Sequence, residues 1–521
     1  MLRRGVIEHE GATPVLRRRV FAFALLVILA TTLGACGQDD PKAQPTDKVL
    51  LLGDSIMDQE GGPAAFALRQ AGIDAEKIAY WGSGLLTRDQ YENGKTRYGP
   101  PTAGSEDVHW LTKAKELVKA EQPGLVVVAM NHNLHAPYPT AADGHEIRSP
   151  RDPAAAEMIA TQTRELLDIL KGSRVAFVTP PPEPGEKKPA DNPIWAAMLP
   201  VLQEENVDII DITPAIAPDG VRVESLPDCF GGPDRVRRAG EVHYERFGAG
   251  LAGTRLADGV AQLLGKDLPN GAPGDHVVAL VATESGEGYW VVQCDGSVFH
   301  FGDAPPITGV RGTKSPIVGA VRSFDGLWLV RRDGTIKSVG GADDIAFEVK
   351  PTDDLVSATA TPANDGIVAL TNRGSVVSTN GDAPYPAVAR AVGVATLAPN
   401  GVWRLQSDGH VDGVDGAPST DTELKNAVAI ASVPEGTGFW AVDRGGIVAT
   451  YGDAKNDGDA KSEPLPPEVA KVFPKGNPIP VVAITAAPNG GYWITRDNGL
   501  VTALGGAPKL GGTNGLALFT P

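Results

Sequence analysis

One pattern recurs six times in the second half of this 521-residue chain and limits what that half can fold into. An anchor position, Trp290, Trp328, Val368, Trp403, Trp440 and Trp493, is followed six residues later by a glycine: Gly296, Gly334, Gly374, Gly409, Gly446 and Gly499. Each copy closes on a short turn containing glycine and alanine, at Ala304, Ala342, Ala383, Ala417, Ala454 and Ala507. A unit this short cannot bury an apolar face alone, so neighbouring copies must stack on one another. Runs such as Val277-Val278-Ala279-Leu280 and Gly288-Tyr289-Trp290-Val291-Val292, interrupted by Asp295-Gly296, read as short strands joined by tight turns. With about four such strands per copy, the pattern predicts an all-β propeller of about six blades over residues 276–521, because radial stacking removes exposed sheet edges. The tryptophans are then blade-core residues rather than a sugar-stacking set.

The repeat resembles a "GYW-V-DG-V-FGDA" blade motif found in surface proteins of actinomycetes, over nearly all of residues 277–510. The third copy departs most, with Ile367-Val368 in place of Tyr-Trp and one extra residue before Asp382, which predicts a weaker blade. An acidic, proline-rich insertion from Lys455 to Pro478 reads as a surface loop. Asp453, Asp457, Gly458 and Asp459 partly match a calcium loop. Lys455 occupies a ligand position and no helices flank the segment, so a solvated turn is expected there.

The first half carries a different rhythm. Strand-like runs at Val49–Leu52, Lys77–Tyr80, Leu125–Met130, Arg174–Val178 and Val207–Ile210 alternate with helical patterns at Pro63–Gln70, Asp107–Ala120, Pro153–Leu170, Pro193–Glu204 and Tyr244–Leu264. Such alternation predicts βαβ units and an α/β domain over residues 48–266, its parallel sheet covered on both faces. Ligand sites in this architecture gather at the carboxyl ends of the strands. A turn-rich linker, residues 267–275, connects the two halves.

Residues 1–36 read as an address rather than fold. Arg17, Arg18 and Arg19 precede an apolar run from Val20 to Ala30, shorter than the roughly 20 residues a spanning helix needs. Leu33-Gly34-Ala35-Cys36 resembles a bacterial lipobox, which implies cleavage before Cys36 and a diacylglycerol on its thiol. Residues 37–47 would then be a flexible tether, and the chain an exported protein anchored by lipid to the outer face of the cell membrane. Ordinary secretory cleavage is the alternative, and both general and twin-arginine export fit the leader. Cys229 and Cys294 fall in different predicted domains; they either staple the halves together or remain free thiols. With 64 acidic and 47 basic side chains the net charge is -17, which repels phosphate backbones and argues against nucleic acid as a partner.

Leu51-Leu52-Gly53-Asp54-Ser55-Ile56, at the end of the first strand, places a serine in a tight turn entering a helix. Alone, Asp54 and Ser55 are equally a helix cap. Three further blocks support chemistry: Trp81-Gly82-Ser83-Gly84-Leu85 after the second strand, Met130-Asn131-His132 after the third, and Glu241-Val242-His243-Tyr244 before the last helix. Together these blocks resemble the SGNH (GDSL-type) hydrolases over roughly residues 48–265. The resemblance implies a flavodoxin-like three-layer α/β/α domain and a serine esterase that needs no cofactor. Ser55 would be the nucleophile and His243 the general base. The oxyanion hole would comprise the Ser55 N–H, the Gly84 N–H and the Asn131 amide, with Gly82 and Asn133 as second choices. The family pattern Asp-x-x-His departs here, since Gly240 stands where the aspartate belongs. Glu241, Asp234 or a backbone carbonyl would orient His243 instead.

The substrates that fit a lipid-anchored enzyme with a propeller are O-acyl esters of wall glycans or envelope lipids, and the propeller would bind wall glycan or protein. Transfer of the acyl group to a sugar hydroxyl uses the same residues. Two rival readings stand: a degenerate hydrolase domain serving as a binding scaffold, supported by Gly240, and a metal-dependent esterase built on His132 and His135, which lacks further ligands.

Overall fold

The computed structural model of the protein describes residues 46–80, 83–85, 110–130, 141, 143–145, 147, 149–347, 352–381, 385–434, 437–460 and 479–513. In it β1 (Val49–Gly53), α1 (Ser55–Gln70), β2 (Ala75–Ala79), α2 (Trp110–Glu121), β3 (Leu125–Ala129), α3 (Pro153–Ile169), β4 (Arg174–Val178), α4 (Pro193–Glu204), β5 (Asp208–Ile210) and α5 (Thr213–Ile216) alternate along the chain. A hairpin of β6 (Ser225–Pro227) and β7 (Pro233–Arg235) and a long helix, α6 (Arg246–Leu263), complete this half. The five long-range strands pair in parallel in the order β2-β1-β3-β4-β5.

Side chains alternate across the sheet and create two cores. Val49, Leu51, Val127 and Ala129 pack against α1 and α6, whereas Leu50, Leu52, Val126 and Val128 pack against α2, α3 and α4. The central strands β1 and β3 are apolar throughout because both of their faces are covered. The expected strands are all present within a residue or two. The first helix is the largest departure: it begins at Ser55 rather than Pro63 and runs through Gly61, Gly62 and Pro63. Asp54 caps it, Oδ1 accepting from Ile56 N at 2.9 Å, and burial of its whole first half outweighs the poor propensities of the Gly-Gly-Pro stretch.

Among the described residues the second half contains six small antiparallel sheets spanning residues 277–302, 317–340, 355–378, 391–421, 427–451 and 481–504. Five have three strands and the fourth has four, where about four were expected in each. After the third strand of the first sheet the chain enters Pro305-Pro306, which has no N–H to extend a ladder. The first strands, Val277–Ala282, Ile317–Arg322, Leu355–Ala360, Ala391–Leu397, Ala427–Ser432 and Val481–Ala486, each neighbour the next, and the last neighbours the first. Together they line a cavity of about 400 Å3.

The repeat residues have definite tasks. Each tryptophan is buried and its Nε1 donates to a carbonyl fifteen residues on: Trp290 to Pro305 (2.8 Å), Trp328 to Asp343 (2.8 Å), Trp403 to Pro418 (3.2 Å), Trp440 to Lys455 (2.7 Å) and Trp493 to Pro508 (2.9 Å). The indole thus ties the second strand of a sheet to the turn that leaves its third. The six recurrent glycines all have positive φ, between 79° at Gly334 and 102° at Gly446. They take the left-handed position that ends each hairpin turn, where a side chain would be strained. The turn at Asp453–Asp459 is occupied structurally: Asp459 Oδ1 accepts from Val448 N at 2.8 Å and Asp457 pairs with Lys455 at 3.4 Å.

The two halves are joined through more than the chain. Segment 267–275, read as a linker, is largely buried: Asn270 Oδ1 accepts from Val298 N (2.8 Å) and Gly309 N (3.1 Å), and Ala272 N donates to Thr254 Oγ1 (2.8 Å). Gly250 on α6 and Gly274 touch so closely that a Cβ on either would lie within 2.6 Å of the other's Cα. Arg311 pairs with Asp258 at 2.9 Å, Gln70 exchanges two hydrogen bonds with the His300 backbone, and Phe66 meets Phe299 edge-on at 5.4 Å. Cys229 and Cys294 form a disulfide with a Cα–Cα distance of 6.0 Å, the stapled alternative. Among the described residues no helix is long and apolar enough to cross a membrane; Cys36 and the leader lie outside them.

The disulfide closes a 65-residue separation. Replacing both cysteines with serine should lower unfolding stability by roughly 2–4 kcal/mol through the gain in unfolded-state entropy. Urea denaturation followed by tryptophan fluorescence checks this, and an unchanged midpoint would contradict it.

Candidate active site

Ser55 occupies the first position of α1, directly after β1, because Asp54 ends the strand and caps the helix. Asp54 N also donates to Ala129 O at 3.1 Å, which holds this turn against the carboxyl end of β3. The serine therefore sits at the carboxyl edge of the sheet, with the positive end of the α1 dipole and its unladdered N–H groups around it.

His243 arrives from the opposite end of the domain. Its Nε2 lies 3.1 Å from Ser55 Oγ, across 188 residues of sequence. Its Nδ1 lies 3.3 Å from Glu241 Oε2. The carboxylate that orients the imidazole is thus the residue two positions earlier, and Gly240 adopts a positive φ of 72° in the turn that brings it there. The Glu241 side chain is about half exposed (53%) and shared with Arg238 at 3.9 Å, so it holds the ring less firmly than a buried carboxylate would. Asp234, the alternative acid, points elsewhere: on β7 it faces His276, 3.8 Å from Nε2, together with Asp228 at 3.3 Å. Burial is the main influence on His243 and lowers its pKa below the ordinary histidine value; the Glu241 bond opposes this and Arg238 adds to it.

The glycine block is partly in view. Tyr80 N donates to Gly53 O at 3.0 Å, so the end of β2 meets the turn before Ser55. Ser83 Oγ donates to Tyr80 O at 2.6 Å and accepts from Trp110 Nε1 at 3.0 Å, which fixes the turn just ahead of the buried Gly84. Gly82, Asn131, Asn133, His132 and His135 lie outside the described residues.

Beneath Ser55 and His243 is a group of buried polar residues that sequence reading overlooked. Gln59, Glu60, Arg237 and Tyr244 are each at most 2% exposed. Tyr244 N donates to Gln59 Oε1 at 2.9 Å, the Tyr244 hydroxyl donates to Glu60 Oε2 at 3.2 Å, and the Arg237 guanidinium lies 4.1 Å from the Tyr244 ring centroid. The available signal was Gln59-Glu60 inside a helix whose other early residues face the core. Asp58, also buried, pairs with Lys77 on β2. Desolvation raises the Glu60 pKa to about 8, with Asp54 adding to the rise and Tyr244 and Arg237 opposing it; burial likewise keeps the Tyr244 phenol protonated.

In chemical terms the arrangement sets a hydroxyl against an imidazole nitrogen, a carboxylate against the ring's other nitrogen and the N–H groups of a helix start beside the hydroxyl, the groups that nucleophilic catalysis by serine requires. No family model matches the chain, and no curated protein matches it in sequence.

Glu60 gives a pH test. Its folded-state pKa of about 8 lies above the ordinary 4.5, so folding holds a proton that the unfolded chain releases. That contribution is complete below about pH 4.5 and is lost as pH rises to about 8. Glu60→Gln should therefore be more stable than the native protein at pH 9, with the difference closing toward pH 5. Denaturation at the two pH values checks it; an equal difference at both would contradict the assignment.

Proposed function

We propose that this protein is a lipid-anchored serine esterase of the SGNH type whose second half is a six-bladed β-propeller. The observation that carries the reading is the contact chain Ser55 Oγ–His243 Nε2–His243 Nδ1–Glu241 Oε2, at 3.1 and 3.3 Å, at the carboxyl edge of a parallel sheet. The strand order, with the serine at the tip of β1 and the histidine just before α6, supports it. The propeller reading draws on the cyclic adjacency of the six first strands and their common cavity.

In the proposed reaction His243 Nε2 accepts the Ser55 proton while Oγ attacks the acyl carbonyl carbon. The Ser55 and Gly84 N–H groups and the Asn131 amide hold the oxyanion. The alkoxide leaves with the proton from His243, and a water deprotonated by the same nitrogen then releases the acid from Ser55. Esters of envelope glycans or lipids are the substrates proposed, with Cys36 carrying the anchor.

Hydrolysis of short p-nitrophenyl acyl esters by protein lacking residues 1–36 tests the reading. Ser55→Ala should reduce kcat roughly 10³-fold or more. Glu241→Gln should cost only about tenfold, because its carboxylate is half exposed. Wild-type inactivity toward these esters together with no covalent labelling of Ser55 by a fluorophosphonate would sink it.

The base must be neutral to act, and burial disfavours its charged form. The rising limb of kcat/KM should thus have its midpoint below 6.5, the ordinary histidine value. A midpoint at or above that value would show that His243 is not the titrating base.

A further inference from the structure

The two peptide groups that flank His243 are held by three hydrogen bonds. Val242 O accepts from Arg237 Nη1, His243 O accepts from Arg238 N at 3.0 Å, and Tyr244 N donates to Gln59 Oε1 at 2.9 Å. Two of these bonds come from side chains almost withdrawn from solvent, Gln59 at 1% and Arg237 at 2% exposure. Gln59 lies one helical turn beyond Ser55 on α1. The helix that presents the nucleophile thus also grips the backbone of the base.

We propose that Gln59 and Arg237 are positioning residues that set the His243 imidazole against Ser55, with Glu60 and Tyr244 bracing them from below. This rests on the serine-esterase reading only for its catalytic consequence; the geometric claim concerns the ring itself.

Simple packing does not account for the cluster. Gln59 Nε2, Glu60 Oε1 and Arg237 Nη2 are buried with no hydrogen-bond partner among the described residues, a loss of stability that apolar side chains of the same volume would avoid. What those side chains could not do is hold the two peptide groups that flank His243. Glu241, half exposed, leaves the ring under-determined from its Nδ1 side, so its position has to be set through the main chain. A misplacement of about 1 Å between base and nucleophile is enough to cost roughly 10²-fold in rate.

The test uses protein lacking residues 1–36 with Gln59→Met, which keeps length and removes the acceptor, Gln59→Asn, which keeps polarity and loses reach, and Gln59→Glu, which restores an acceptor oxygen. With a p-nitrophenyl ester, the Met and Asn variants should lose 10- to 100-fold in kcat with KM changed less than twofold. Their pH midpoint should move up toward the ordinary histidine value as the ring leaves its buried place, and Gln59→Glu should recover most of kcat. The same variants are examined by ¹⁵N NMR of the His243 imidazole, which needs no turnover. An altered ring shift and titration in the folded Met or Asn variant supports the proposal even if the native protein hydrolyses nothing, an outcome that would remove the esterase reading alone. A folded variant with native ring shift, native titration and a merely lowered melting temperature overturns it.

Discussion

Helix α1 packs along α6, and the placement of Ser55 beside His243 follows from that contact. The two helices are far apart in sequence, yet Gly253 of α6 lies against Pro63 and the Glu60 carbonyl of α1, where a Cβ would come within 2.9 Å of both. Ser55 begins one helix and His243 lies three residues before the start of the other, so the depth at which they pack sets the distance between hydroxyl and imidazole. The apolar half of the contact is ordinary: Ile56, Ala64 and Leu68 against Ala249, Ala252 and Leu256. Its polar half, at the Ser55 end, is what makes the relative position specific, since hydrogen bonds have direction and hydrophobic burial does not.

The same two helices also receive the second half of the chain. Phe66 and Gln70 at the end of α1, and Gly250 and Thr254 along α6, meet the first sheet and the segment that leads into it, while Asp258 meets Arg311 in the turn that follows that sheet. The β6–β7 hairpin makes a second attachment through Cys229 and through Asp228 beside His276. Arg246 on α6 reaches Asp497 in the last sheet at 3.1 Å. A polypeptide linker alone would leave the halves free to reorient; a buried linker, a disulfide and paired charges on several elements oppose that. The six-sheet half is consequently fixed to helices α1 and α6.

Much of this was legible in the sequence because it depends on local periodicity. Leu125–Val128 announces a strand buried on both faces, and β3 is that strand. The recurrent Trp and Gly positions announce a repeated unit, since each indole bonds to the turn that leaves its own sheet and each glycine serves its own hairpin. The blocks that hold Ser55 and His243 stood out by their places on strand and helix ends, and the fold brings the two side chains within 3.1 Å of one another. What was not legible has a common cause. Helix α1 starts eight residues before Pro63 because burial and the Asp54 cap override local propensity. Glu241 rather than Asp234 faces His243 because the turn at Gly240 decides which carboxylate is turned inward. Gln59 and Glu60 resemble ordinary helical surface residues until α6 covers them.

The sequence by itself determined the kinds of element, their order, the six-fold repetition and the residue types able to attack and to accept a proton, since each of these follows from side-chain chemistry and short-range spacing. Only the tertiary structure decided which partners those residues have. The pairing of Cys229 with Cys294, the burial of segment 267–275, the carboxylate behind His243 and the clamp on its backbone all join positions distant in the chain. Their existence depends on close packing in three dimensions, which no local pattern encodes.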